Sequence, residues 1–339
     1  MLGGKNMINY LVIDESHIQI EFGILGDVSS LQTYHSGELE SVNLAGKNMI
    51  MTHAGELVPA FTETDRRKNK PSVEFHKNGI VKAVMLEEQS EIETPIGSLP
   101  AEYVTFYPTG EINRVFVADG KISGFWSEEE ERDYNIPLSF EFDFADFTAR
   151  LNGICFYKSG SIRSITLYPG ECISLRTKVG SFNTKVGFSL FEDGKIQSAE
   201  PDEALLIDTP IGRFSAFDPN ANGINADSNS LVFDENDRIV SFMTVSNKVA
   251  VQTEQSEFLL LAPEQKIHPL YDDMKIMIAM KVSFDFENDT VTIINDEKHT
   301  FSMAGCGFTV QSIKSDVMGC TPEDCASCSL CHTKNNSIQ

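Results

Sequence analysis

The chain has 339 residues, and its 27 Lys and Arg stand against 50 Asp and Glu for a net charge of −23. A surface of that sign repels phosphate backbones and anionic headgroups, which argues against nucleic-acid and membrane partners. The most apolar run, residues 258–262, is far too short to span a bilayer, and no segment resembles the apolar core of a secretory signal, so a soluble, cytoplasmic protein is expected.

Residues 8–24 read as a hairpin. Ile8, Tyr10 and Val12 alternate, Asp14, Glu15 and Ser16 turn the chain, and Ile18, Ile20 and Phe22 alternate back. From residue 31 to about 250 one pattern recurs: a first residue that is usually apolar, three turn residues, a glycine, one spacer and an aliphatic residue. It is clearest in 105–131, which holds the copies 106–112 and 116–122. Further copies are 33–39, 51–57, 75–81, 156–162 and 190–196, with a degenerate one at 233–239 where Asp237 replaces glycine. Each reads as a strand, a tight turn and a returning strand, with Gly110 and Gly120 supplying the positive φ that a bulged hairpin loop needs.

A larger duplication supports this reading. Gly79 to Thr94-Pro95-Ile96-Gly97 spans the same distance as Gly194 to Thr209-Pro210-Ile211-Gly212. The expected fold is all-β, an antiparallel meander of hairpin repeats in an extended or curled sheet. Residues 1–251 form the repeat region. Residues 252–310 lack the signature and read as a β cap for the open end of the sheet, and 311–339 form a Cys-rich tail.

Smaller features fall between these. The acidic run 128–131 reads as a solvated loop or a helix start. Phe140, Phe142 and Phe144 alternate as a strand, although 143–151 also fits a short helix stopped by Asn152 and Gly153. Cys155 and Cys172 lie in apolar strand contexts and read as core residues.

The stretch 105–126, with the aromatic pair Phe125 and Trp126 after Gly124, resembles the MORN-variant repeat of antitoxin-type MORN proteins, and 156–171 is similar. The resemblance implies hairpin repeats. It also implies a binding module (a scaffold, a lipid-associated domain or an antitoxin-like inhibitor) more than catalysis.

The sharpest chemical feature is Cys320, Cys325, Cys328 and Cys331, followed by His332. Thr321 as N-cap, Pro322 at the first helical position and Asp324 at the capping-box position mark a helix start. That helix puts Cys325, Cys328 and Cys331 close to one face, and Cys320 just before the cap is placed to fold over as a fourth ligand. The repeated two-residue spacing also occurs in [4Fe–4S] loops, although the following Cys-Pro of ferredoxins is missing. A structural Zn²⁺ in a four-cysteine shell is the alternative. Cys306, between glycines, and His332 are further candidate ligands.

Residues 218–223 match the first half of a calcium loop, but Ile224 falls early and Asn229 stands where a bidentate Glu is needed, so an Asx-rich insertion fits better. His35, His53 and His76 all lie in repeat turns and do not converge. The motifs of serine hydrolases, phosphate-binding loops and zinc proteases are missing. A non-enzymatic binding or scaffold protein with a protein partner is therefore expected. An electron-transfer or redox-sensing component is the alternative, and an antitoxin-like inhibitor a second one.

Overall fold

The computed structural model describes residues 9–124, 126–221, 225–268 and 271–313. Among them one helix accompanies a long series of strands, and every strand pairing is antiparallel. Sixteen strands join in a single open sheet that runs from Val28–Thr33 at one edge to Lys298–Ser302 at the other. Its neighbours follow chain order, so the sheet is a succession of hairpins. The all-β meander expected from the sequence is what the chain forms.

Six of the sequence copies make the same turn. In the first, the Tyr34 N–H donates to the Glu38 carbonyl (2.9 Å) and the Gly37 N–H donates back to the Tyr34 carbonyl (2.8 Å). The pattern repeats at Gly79, Gly110, Gly160 and Gly194, and at Asp237 in the degenerate copy. All six turn residues have positive φ, from 60° at Asp237 to 100° at Gly110. Asp tolerates this left-handed conformation better than most residues, which explains why the degenerate copy still turns.

Two copies do something else. Residues 51–57 belong to a small hairpin, Ile50–Thr52 paired with Gly55–Leu57, outside the main sheet. It shares a second turn type with 94–97, 177–180 and 209–212. In each a Thr hydroxyl donates to the Gly carbonyl three residues on, at 3.0, 2.5, 2.8 and 2.7 Å respectively. The copy at 116–122 is not a hairpin at all. The chain leaves the sheet after Ile112–Phe116, and Gly120 forms a bridge with Arg67. Gly120 does not have the positive φ expected of it. Its glycine is required by close approach, since a Cβ would lie 2.0 Å from a Glu131 carboxylate oxygen.

Further hairpins outside the main sheet fold over one of its faces and close the core. Leu138–Phe142 with Ala145–Ala149 contributes Phe142 and Phe147, whose rings meet Phe188 edge-on at 5.7 and 6.2 Å. Ile207 and Phe214 come from Leu205–Thr209 and Gly212–Ala216. These join Phe156, Ile165, Phe188 and Phe242 of the main sheet in one contiguous cluster. The strand Ile162–Leu167 shows the logic: Ile165 and Leu167 enter the core while Ser164 and Thr166 take the opposite face.

Consecutive hairpins are also tied by side chains. The Tyr34 hydroxyl donates to the Phe75 carbonyl, Tyr107 to Phe156 and Tyr157 to Leu190, each at 2.8 Å. His76 Nε2 takes the equivalent place against the Phe106 carbonyl at 2.9 Å. Phe191 occupies the next such position and ends the series.

Several expectations change. The helix alternative for 143–151 gives way to the strands Ala145–Ala149 and Leu151–Phe156. Cys155 is buried, but Cys172 is exposed beside the Tyr168–Glu171 turn and is not a core residue. The acidic run does start a helix, Glu128–Tyr134, closed by a capping box between Ser127 and Glu130, yet its fourth member, Glu131, is buried. The 252–310 segment carries the main sheet onward with Met280–Asp285, Thr290–Ile294 and Lys298–Ser302. It also forms an end sheet from Phe258–Leu261, Asn247–Gln252 and Gly307–Ser312. No helix among the described residues is long and apolar enough to cross a membrane.

Candidate binding surface

The face of the sheet opposite the core is built from short polar side chains that pair across strands. Ser189 and Ser198 hydroxyls meet at 2.6 Å, Ser241 and Ser283 at 3.0 Å, and Thr292 and Thr300 at 3.0 Å. Two loops are fastened onto this face.

The first lies between the strands Gly212–Ala216 and Leu231–Phe233. Asp227 accepts from the Ser164 hydroxyl (2.5 Å) and from Arg114, and the Ala226 N–H donates to Thr166 Oγ1 (2.9 Å). Asn229 Nδ2 donates to Ser198 Oγ (2.8 Å). The Ser230 N–H and hydroxyl both donate to Glu200, at 2.8 and 2.6 Å. Burial raises the Glu200 carboxyl above its usual range, against the pull of those two bonds. Asp218 accepts the Asn220 N–H (2.9 Å), and Asn220 Nδ2 is turned to the Met277 carbonyl (2.6 Å). The Asn220 and Asn229 side-chain N–H groups and the Asp227 carboxylate thus clasp the loop to the sheet and to Met277, while Asn229 Oδ1 is buried without a partner among the described residues. Cys155 lies nearby on the same face, and burial raises its thiol, which disfavours a reactive thiolate.

The second loop, 58–72, is anchored by Arg66. Its guanidinium forms a two-pronged pair with Glu102 (2.6 and 2.7 Å) and a second with Glu131 (3.0 and 3.1 Å), and stacks 3.9 Å from the Tyr134 ring centroid. Both acids take further donors: Glu102 accepts the Asp119 N–H, and Glu131 accepts the Gly120 N–H and the Trp126 indole N–H. Burial opposes the charge on Arg66, but Glu102 and Glu131 outweigh it and raise its pKa. Both acids are nearly inaccessible, so this is an internal ion triad that fixes backbone. Next to it Lys68 and Lys70 share the buried Asp119 carboxylate at 2.7 and 2.5 Å.

At the sheet's end, Val28–Thr33 pairs only with Leu39–Leu44 among the described residues. The Val28 N–H is taken by the Ser16 carbonyl (2.9 Å). From Ser29 to Thr33 all side chains are exposed, and the strand has neither charge nor proline. Natural edges are usually guarded by one of those devices.

Cys320, Cys325, Cys328, Cys331 and His332 lie outside the described residues, as does part of the 218–229 loop. Cys306 sits half-buried in the turn after Ser302. His35, His53 and His76 stay apart, as expected from their separate turns, and among the described residues no three metal-ligating side chains converge. The Arg66 triad was not anticipated from sequence. The available signal was Arg66-Arg67-Lys68-Asn69-Lys70, a basic run in an acidic chain. Compared with protein-family models, curated proteins and solved structures, the chain finds no match.

Proposed function

We propose that the protein is a non-enzymatic binding scaffold that recruits a protein partner by adding a strand of the partner to the Val28–Thr33 edge. The open, uncharged edge carries this reading, because a row of unpaired N–H and C=O groups is a template for another strand. The buried acids support it too: Glu102, Glu131 and Asp119 are committed to holding loops, and Glu200 holds Ser230. The net charge of −23 favours a basic protein partner over a nucleic acid, and the setting proposed is cytoplasmic. The resemblance of 105–126 to antitoxin-type MORN repeats, which implies binding, points the same way.

Leu31→Pro and Gln32→Pro test the proposal as a pair. Neighbouring residues of an antiparallel strand alternate in direction, so one of the two N–H groups faces outward and its loss leaves the internal ladder intact. A photo-crosslinking residue at Ser30 should capture a partner in the parent chain. The folded proline variant should lose that crosslink. A crosslink that survives in both folded variants sinks the edge reading.

The cysteine spacing supports a second element, a metal centre in the tail held by Cys320, Cys325, Cys328 and Cys331, either [4Fe–4S] or Zn²⁺. Iron with acid-labile sulfide in anaerobically purified protein, lost in the Cys→Ser variants, would favour the redox alternative. Zinc alone would make the tail a structural clip.

A further inference from the structure

We infer that the cavity beneath the 58–72 loop is a binding site for a small phosphate-bearing anion. It has a volume of about 560 Å³, within the range of small-molecule sites, and Arg67, Lys68, Lys70 and Lys121 line it. In a chain with nearly twice as many acids as bases, four cationic side chains in one cavity wall is a local reversal of sign.

The arrangement is built. The Arg66 triad pins the loop from below, the Lys121 N–H donates to the Arg66 carbonyl at 2.6 Å, and Gly120 bridges Arg67. These bonds hold the two basic segments side by side. Their charges are only partly answered. Lys68 and Lys70 share one carboxylate, Asp119, and Arg67 has Glu87 at 3.4 Å. Lys121 has no carboxylate partner among the described residues.

Glu63 and Asp65 also line the cavity and are exposed, as Lys68 and Lys121 are, so among its lining residues four cations face two carboxylates. The Lys70 ammonium lies 3.4 Å from the Tyr103 ring centroid, and burial lowers its pKa despite the bond to Asp119. A bound anion would give Lys121 a counter-charge and add a second acceptor for Lys68 and Lys70. Hydroxyls of Thr64 and Ser72 on the same wall add donors suited to phosphoryl oxygens.

The test uses the full chain and sodium pyrophosphate at low ionic strength, followed by titration calorimetry, with citrate as the carboxylate arm. One saturable site is expected. Lys121→Ala should weaken it roughly tenfold, the loss of one charge-assisted hydrogen bond. Lys121→Arg should retain most of the affinity, and Lys298→Ala at the opposite sheet edge should change nothing. Lys121 pairs with no carboxylate, so its variants are expected to melt with the parent. Absence of saturable binding, an equal effect of Lys298→Ala, or citrate binding as tightly as pyrophosphate would each overturn the assignment.

Discussion

Arg66 is bonded to two carboxylates that water scarcely reaches, so removing it leaves two buried charges without a partner. Arg66→Ala should cost roughly 3–5 kcal/mol, the usual penalty for breaking a buried pair, read as a lower urea midpoint. Arg66→Lys should not rescue it, because an ammonium cannot serve two planar carboxylates and stack on Tyr134 at once. A loss below about 1 kcal/mol would mean the triad behaves as a surface pair. Glu200 makes the opposite kind of prediction. Its folded pKa is raised above the ordinary 4.5 by burial, so its contribution is full below that value and falls away as pH rises through the raised folded value. Glu200→Gln stays neutral throughout and can keep an acceptor for the Ser230 N–H. The variant should therefore gain on the parent in melting temperature as pH climbs from 4.5 to 8. A difference that stays flat with pH would contradict the burial argument.

Two turn types recur among the hairpins of this fold, and Tyr-to-carbonyl bonds tie three of the junctions between hairpins of the first kind. Tyr107→Phe and Tyr157→Phe each remove one such bond while keeping the ring, and should each cost about 1 kcal/mol. Because the two bonds lie on different hairpin junctions, their effects should add in urea denaturation. A double variant no less stable than the parent would show that the ladder is incidental. Much of this scale was legible in the sequence. Glycine at a fixed place in five of the six turns, with Asp237 in the sixth, announced the sheet hairpins, since positive φ has a strong residue preference. The same pattern misled at Gly120, where glycine answers a crowding carboxylate 11 residues away in the chain rather than a turn. At Gly55 it marked a hairpin as expected, but one of the second turn type and outside the main sheet. Cys172 was misplaced because local apolar neighbours do not reveal which strand end they sit on.

For the whole molecule, the open sheet matters more than any single cluster. One face is sealed by the second layer of hairpins, the other carries two clasped loops, and residues 29–33 of the edge strand have no second strand partner among the described residues. Alternation along single strands revealed the two faces. The Arg66 triad and the Asp227 clasp could not be foreseen, because they join residues between 36 and 113 positions apart in an order that periodicity does not encode. The central claim is that the free edge is where a partner strand docks. Hydrogen exchange of the amides of residues 29–33, measured with and without the captured partner, tests it most directly, since the Val28 N–H is already bonded to Ser16. The account predicts that the outward-facing amides exchange rapidly in the free chain and become strongly protected in the complex. Protection already present in the free chain, or rapid exchange that persists in the complex, would contradict it.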